Sequence, residues 1–144
     1  MPTDTVAKVG RALMTLTTLT YGLIPPLADI SPTHLFHPDW PPHARMHATW
    51  LMAVNTSLSV LSLTLLWRAK DPALGTKAAG LLGTLVYAGF FLSAGTAPLY
   101  GGALSDEGGV PSLGAGLDAN LVVFSITSVL HLTGWALASR GSST

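Results

Sequence analysis

The 144-residue sequence contains no cysteine, and only 10 % of its residues are charged. Without cysteine, disulfide bonds, thiolate metal sites and thiol catalysis are excluded. Seven basic residues balance seven acidic ones, so there is no basic excess for binding nucleic acid. Soluble domains carry about 25 % charged residues, whereas apolar residues make up 49 % of this chain. This composition is typical of an integral membrane protein, whose partner is the lipid bilayer.

Long apolar runs divide the chain. A helix that spans a bilayer needs about 20 mostly apolar residues, and four segments come close to this length. The sequence therefore predicts a single all-α membrane domain, residues 1–144, built as a four-helix bundle. The predicted spans are approximately 12–28, 44–67, 77–99 and 119–138. An alternative interpretation makes residues 1–28 a cleaved signal peptide, which would leave three spans.

The basic residues predict an orientation. In a four-span arrangement only Arg45 lies on one side, and the other side holds Lys8, Arg11, Arg68, Lys70, Lys77 and Arg140. Connections rich in Lys and Arg stay in the cytoplasm, so both termini and the 68–76 turn are predicted to be cytoplasmic. The 29–43 and 100–118 loops, the second of which carries Asp106 and Glu107, are predicted on the extracytoplasmic or lumenal side.

The segment 29–47 concentrates groups that can do chemistry. It holds four of the five histidines, together with two aspartates, one arginine and four prolines. Proline restricts both its own backbone and that of the preceding residue, so this loop is expected to hold side chains in fixed places. Imidazole and carboxylate groups can act as general acids and bases near neutral pH. Because polar groups are costly near a bilayer, they are functional candidates by default.

The spacing of these residues predicts their roles. Pro41 and Pro42 suit the first turn of a helix, and His43 and His47, four residues apart, then share a face of it. We expect one of these histidines to be the acid or base, oriented by an aspartate, with Arg45 or Asn55 stabilising negative charge. The predicted catalytic set is His34, Asp39, His43, Arg45 and His47. The predicted substrate-binding set is Asp29, His37, Trp40, Trp50, Asn55 and Asn120.

Further polar residues are predicted to face the interior of the bundle. Asn55, Ser59 and Ser62 lie within about 120° of His47 around their helix, so they are expected to form one inward strip with it. In the fourth span, Ser125, Ser128 and His131 recur every three residues and predict a second inward stripe. His131 lies roughly 18 Å from the outer end of its span. We interpret His131 as a hydrogen-bonded packing residue, with haem ligation as the alternative.

One stretch resembles a known family. From Thr33 to His47 the chain reads Thr-His-Leu-Phe-His-Pro-Asp-Trp-Pro-Pro-His-Ala-Arg-Met-His. This resembles the loop of a family of small, uncharacterised membrane proteins, roughly Thr-His-x-aromatic-Asn-Pro-x-Trp-Pro-Pro-His-Ala-basic-x-His, placed before a helix. The family pattern has asparagine where this chain has His37, which argues against an obligatory metal ligand there. The resemblance implies a small membrane protein and the choice of residues, and it supplies no reaction.

Three functions compete at this point. The leading hypothesis is a membrane-embedded enzyme that isomerises, cyclises or hydrolyses a lipophilic small molecule, for example by epoxide opening, in a cavity between the helices. No cofactor is expected for it. The first alternative is a metal or haem protein, in which a metal would bind His34, His43 and His47. The second is a non-catalytic accessory subunit whose rigid loop docks a partner. A homo-oligomer is compatible with each.

Overall fold

The fold is given by a computed structural model, which describes residues 3–105, 112–114 and 116–140. Within these ranges the chain is all-helical, as the sequence predicts, and contains no strand. The elements are α1 (Thr3–Asp29), α2 (Pro42–Arg68), α3 (Pro72–Thr96), a short 3₁₀ turn (Ala97–Leu99) and α4 (Ala119–Ser139). The acidic pair Asp106 and Glu107 lies outside the described residues.

The helices form an antiparallel bundle. Helix α1 packs against α4 and α2, α3 packs against α2 and α4, and α1 also touches α3 across the diagonal. Arg11, near the start of α1, bonds to Leu66 near the end of α2, and Gly10 lies against Ala138 at the end of α4. The bundle therefore has a basic end, with the 69–71 turn, and a loop end, with the 30–41 connection and the described parts of the connection between α3 and α4.

Proline and aspartate set the helix starts. Helix α2 begins at Pro42, a position where the missing N–H costs no hydrogen bond. The Asp71 side chain accepts hydrogen bonds from the backbone N–H groups of the first turn of α3. Asp118 does the same for α4. These caps satisfy backbone donors that have no partner inside the helix. Because Asp71 and Pro72 form such a start, α3 begins before the predicted residue 77.

Helix α1 is longer than predicted at its start. The predicted span began near residue 12, but the helix begins at Thr3. Its first turns are polar and carry an exposed ion pair between Lys8 and Asp4, with Nζ and Oδ2 2.7 Å apart. A search for apolar runs detects only the apolar part of such a helix, so the polar turns were left out of the prediction.

Helix α1 also contains Pro25 and Pro26. Proline has no N–H, so the carbonyl of Gly22, four residues before Pro26, loses its usual donor within the helix. The hydroxyl of Thr56 on α2 donates to this carbonyl at 2.8 Å. Gly22 permits the approach, because a Cβ at this position would overlap Ser59. The neighbouring helix thus satisfies a backbone group that the proline frees.

The interior of the bundle holds polar side chains beside apolar ones such as Met14 and Leu66, and many apolar side chains lie outside. The buried polar residues are Thr17, Thr18, Ser59, Ser62, Thr76 and His131. Large apolar side chains that are more than half exposed occur on all four helices and include Leu16, Leu27, Leu51, Val60, Leu92 and Val129. A soluble protein rarely exposes so much apolar surface. Three segments, Pro42–Arg68, Pro72–Leu99 and Ala119–Ser139, are long and apolar enough to cross a membrane.

Arg11 is accommodated at the basic end by α2. Its guanidinium donates to the backbone carbonyl of Leu66, one of the last carbonyls of α2, which have no partner within the helix. The same group lies 4.4 Å from the ring centroid of Trp67. The indole N–H of Trp67 in turn donates to Thr15 at 3.0 Å. A charged residue in the first half of α1 thus stabilises the junction of α1 and α2.

Candidate functional site

The 30–41 loop is held at both of its ends. The backbone N–H of Leu35 donates to the carbonyl of Asp29 at 2.9 Å, and the Leu35 side chain is buried. Turns follow, in which His37 donates to the carbonyl of His34 and Trp40 donates to that of His37. From α2, Arg45 Nη2 donates to the same His37 carbonyl at 2.9 Å. The loop is therefore fastened to α1 by its backbone and to α2 by Arg45.

His43 and His47 form a direct pair on the first turns of α2. Their Nε2 atoms are 3.0 Å apart, so one ring donates its N–H and the other accepts it. The rings meet edge to face, with centroids 4.5 Å apart, and both side chains are exposed. Trp50 follows on the next turn, with its ring centroid 6.0 Å from that of His47. The spacing of four residues thus brings the imidazoles together, as expected.

His34 belongs to a separate group beside Asp29. Its Nδ1 atom lies 3.0 Å from the hydroxyl of Thr33. Asp29, at the end of α1, is close enough to His34 for their charges to interact. Burial raises the pKa of the Asp29 carboxyl, and the neighbouring imidazole of His34 offsets part of that rise. The predicted site therefore divides into an Asp29–His34 group and the His43–His47 pair.

Asp39, His37 and Trp40 shape the loop. The backbone N–H of Asp39 donates to Nδ1 of His37 at 3.3 Å, and Trp40 contributes the backbone turn described above. Among the hydrogen bonds and ion pairs of the described residues, none joins the Asp39 carboxylate to an imidazole. Either Asp39 or Asp29 is predicted to orient His43 or His47. Asp39 makes no such contact here, and Asp29 interacts with His34.

The predicted inward strip on α2 is divided between two faces. Ser59 donates to the carbonyl of Thr18 at 3.2 Å, and Ser62 accepts from the hydroxyl of Tyr21 at 3.0 Å. Both serines are buried, whereas His47 is exposed. Around the helix, Ser59 lies about 120° and Ser62 about 60° from His47, which is enough to place the serines on the interior face and His47 on the outer face. The expectation that His47 faces inward with these serines was therefore wrong.

Two asparagines complete the predicted substrate-binding set. Asn55 is half-buried, between the inner and outer faces of α2. Asn120 donates its side-chain Nδ2 to the carbonyl of Leu104 at 2.9 Å. It thereby ties the connection after α3 to the first turn of α4.

The three predicted metal ligands are not gathered together. In the described ranges no group of three or more His, Asp or Glu side chains is placed to hold a metal ion. His34 lies with Thr33 and Asp29, and His43 and His47 face each other. The alternative metal site of His34, His43 and His47 is thus reduced to a two-histidine pair, because the loop turns place His34 beside α1.

His131 occupies the bundle interior and is fully buried. Its Nε2 lies 2.9 Å from the carbonyl of Gly80 on α3, so this nitrogen carries a proton and donates it. Its Nδ1 lies 3.1 Å from the hydroxyl of Thr17 on α1. The ring also rests against Gly83, where a Cβ would overlap Cε1. Both ring nitrogens are used in joining three helices, which fits a packing residue and does not fit an axial haem ligand.

The stripe predicted on α4 is only partly buried. His131 is inside, but Ser125 is exposed and Ser128 is half-buried. A repeat of three residues drifts around a helix of 3.6 residues per turn, so its members do not stay on one face.

Sequence reasoning missed the partners of His131. Thr17 receives a second hydrogen bond at its carbonyl, from the hydroxyl of Tyr87 at 2.7 Å. A threonine in an apolar run and a glycine in a row of small residues carry no signal of pairing with a distant histidine. Only the recurrence of small residues in α3, around Gly80 and Gly83, indicates close packing of helices there.

An apolar groove lies on the outer face of α2, on the same side of the helix as the His43–His47 pair. Its volume is about 280 Å³, and it is lined by Ala53, Val54, Ser57, Leu58 and Leu61. It begins about one turn below Trp50, whose side chain is 61 % exposed. An exposed imidazole pair, an indole ring and an apolar groove therefore follow one another along a single helix face.

Comparison with known proteins gives one finding. A family model described as a family of unknown function, DUF6640, matches residues 13–141. No curated protein and no solved structure matches the chain.

Proposed function

The chain belongs to the family of unknown function DUF6640, and because this membership brings no activity with it, we propose a function from the geometry alone. The protein is an integral membrane enzyme that acts by acid–base chemistry on a lipophilic small molecule. The observation that carries the proposal is the exposed pair of His43 and His47, whose Nε2 atoms lie 3.0 Å apart at the loop end of an apolar bundle.

We assign residues 12–28 of α1 as the fourth membrane span. The exposed side chains in this stretch are apolar, among them Leu16 and Leu27. The hydroxyls of Thr15 and Thr20 donate to carbonyls four residues earlier in the same helix, so they add little unsatisfied polarity. Helix α1 packs against two helices that are themselves long and apolar enough to span. Its modest hydropathy therefore reflects its inner face and leaves its lipid-facing side apolar.

The orientation follows from the basic residues. The basic end of the bundle carries six of the seven Lys and Arg residues, and such ends stay in the cytoplasm. On this basis both termini are cytoplasmic. The His43–His47 pair then lies at the extracytoplasmic or lumenal surface, where a ligand reaches it from water or from the outer leaflet.

The pair is suited to taking one proton and returning another. In the neutral state one imidazole uses its Nε2–H to donate to the Nε2 of the other. The Nδ1 of the donating ring is then a proton acceptor, and the Nδ1–H of the accepting ring is a proton donor. A substrate proton can enter at the first Nδ1, the shared proton can cross between the Nε2 atoms, and the second Nδ1 can release its proton to the substrate.

This transfer leaves the protein with the same number of protons and calls for no electron transfer. The tautomers of the two rings are exchanged, so the next turnover runs in the opposite direction along the pair. Such a transfer fits isomerisation or cyclisation best, and it can also open an epoxide by protonating the leaving oxygen while a water attacks. Arg45 acts as a positioning residue in this scheme, because its Nη2 is bonded to the His37 carbonyl. It fixes the loop beside the imidazoles.

The proposal is tested by lipid turnover in D₂O. The protein, reconstituted in lipid nanodiscs, is incubated with a lipid extract of the cells that express it. Products are followed by chromatography and mass spectrometry. A reaction that returns a proton places deuterium in its product. We expect His43→Ala and His47→Ala each to lower the rate at least about 100-fold, the usual contribution of a general acid or base.

The matched control is Met46→Ala, at an exposed side chain on the same turns of α2. It should keep its activity, because the thioether takes no part in the proton transfer. Folded His43→Ala and His47→Ala variants that turn over at the wild-type rate would overturn the proposal.

A further inference from the structure

We propose that the ligand of this site is a lipid with a single long chain, lying along α2 with its polar head on the His43–His47 pair. Its chain occupies the groove of Ala53, Val54, Ser57, Leu58 and Leu61. The inference rests on the proposed function for the role of the imidazoles. It adds the class of the substrate and the orientation of the bound molecule along α2.

The residues involved form one stripe. Along α2 the spacing between these residues alternates between four and three. On a helix of 3.6 residues per turn, this alternation keeps their side chains close to one line that runs along the helix, within about 40° on either side. All the side chains on this line are exposed, and they are His43, His47, Trp50, Val54, Ser57 and Leu61. A molecule extended along the helix therefore meets hydrogen-bonding groups first, then an indole ring, then an apolar surface.

The groove itself is apolar in spite of Ser57. The hydroxyl of Ser57 donates to the carbonyl of Ala53 at 2.8 Å, so its hydrogen is already used within the helix. The small side chains of Ala53 and Ser57 leave space beside the larger Leu58 and Leu61. The result is a furrow in which methylene groups are the natural occupant.

The length of the stripe fits one leaflet. From Trp50 to Leu61 the helix rises about 16 Å, close to half of the roughly 30 Å hydrocarbon core of a bilayer. The imidazoles lie at the upper end of this stretch, with Trp50 just below, at the depth where tryptophan marks the interface of membrane proteins. A lipid of the outer leaflet has this arrangement, with a polar head at the interface and a chain reaching toward the midplane.

Shape and polarity favour a single chain. The furrow of about 280 Å³ follows one helix between residues 53 and 61, and an extended methylene chain can fill it. At the upper end, one imidazole of the pair offers an Nδ1 acceptor and the other an Nδ1–H donor. A carboxyl or hydroxyl head can bond to either of them.

The test is photo-crosslinking in nanodiscs. The probe is a fatty acid with a diazirine in mid-chain and a terminal alkyne, and adducts are mapped by peptide mass spectrometry. We expect them to concentrate on α2 between residues 53 and 61. Val54→Trp fills the groove and should lower this labelling at least fivefold. The control Val129→Trp places the same ring on α4, at a side chain that is 64 % exposed, and should leave it unchanged.

A second probe isolates the role of the head. A hydrocarbon with the same diazirine and alkyne, but no carboxyl group, should label the lipid-facing surfaces of all four helices. The inference is overturned if the fatty acid labels in this same diffuse way, or if Val54→Trp and Val129→Trp behave alike.

The result separates the two proposals. Adducts confined to α2, together with full turnover by folded His43→Ala and His47→Ala, would support the lipid site and refute the acid–base role. Turnover that depends on both histidines, with adducts spread over all helices, would refute the lipid site and leave the acid–base role standing.

Discussion

His131 and the His43–His47 pair put the same side chain into opposite surroundings. His131 is fully buried, and its two ring nitrogens are engaged by Gly80 on α3 and Thr17 on α1. His43 and His47 are exposed, and each has only the other as a hydrogen-bond partner among the described residues. An imidazole whose nitrogens both serve helix packing has nothing left for a substrate. The contrast assigns stability to the interior, and it leaves the outer face free for the chemistry of the proposed function.

The largest expected effect is on stability, at the interior histidine. His131→Ala removes two hydrogen bonds between helices and leaves a cavity, so it should lower the free energy of unfolding by about 3 kcal/mol. His47→Ala, at an exposed position, should lower it by about 0.5 kcal/mol or less. Thermal unfolding of both variants in the same detergent, followed by circular dichroism, makes the comparison. Equal losses of unfolding free energy in the two variants would contradict the assignment of His131 to helix packing and of His47 to the outer face.

Gly83 tests the packing role of His131, because the absence of a side chain at Gly83 makes room for the imidazole. Gly83→Ala should destabilise the bundle by about 1–3 kcal/mol, since the new methyl group overlaps the imidazole. On the same helix, Gly89 has open space around it. Gly89→Ala should therefore be neutral or stabilise by up to about 1 kcal/mol through helix propensity. A loss at Gly89 as large as that at Gly83 would contradict this account.

The fold was predictable where the signals are local. The apolar runs gave four helices, and Pro41 and Pro42 marked the start of α2. The spacing of His43 and His47 gave their shared face. The start of α1 was missed because its first turns are polar and carry no apolar signal. Pro25 and Pro26 stay inside α1 because Thr56 of another helix satisfies the freed carbonyl of Gly22, which no local rule reveals.

The parts of the site that depend on tertiary contact were not predictable. His131 and Thr17 are 114 residues apart in sequence, and their pairing is decided by how α1 packs on α4. His34 was expected near His43 and His47, but backbone hydrogen bonds fold its part of the loop toward Asp29. Proline content indicated a stiff loop without indicating its path.

Arg45 allows the loop end to be perturbed without touching the imidazoles. Arg45→Gln loses a charged donor to the carbonyl of His37, a bond of a kind that contributes about 1.5 kcal/mol. The 30–41 loop should then exchange its amide hydrogens faster, while the interior around His131 is unchanged. Hydrogen–deuterium exchange measures both. The control Arg68→Gln, at an exposed position of the basic end, should leave the loop protected, and unchanged loop exchange in Arg45→Gln would contradict the role of this bond.

The smallest expected effect concerns Asp29. Burial raises its pKa above the ordinary 3.8, so the folded protein holds this proton more tightly than the unfolded chain. The free energy of unfolding should therefore fall as the pH rises from about 3.8 through the raised value, and be flat above it. Asp29→Asn removes this slope and should raise stability at neutral pH by about 0.5 kcal/mol or less. Thermal unfolding between pH 4 and 7 measures it, and an opposite slope in the wild type, abolished by the same substitution, would contradict the assignment.

The absence of cysteine from the sequence permits the most direct test of the contrast between outer and inner histidines. His43→Cys and His131→Cys each introduce a single thiol, and intact vesicles are treated with a maleimide that does not cross membranes. Position 43 should react at a rate within about tenfold of a free peptide thiol when the loop end faces the reagent, and position 131 should react only after unfolding. The account would be contradicted if the thiol at position 43 failed to react with reagent added from either side of the membrane. Equal labelling of the two positions in the folded protein would also contradict it.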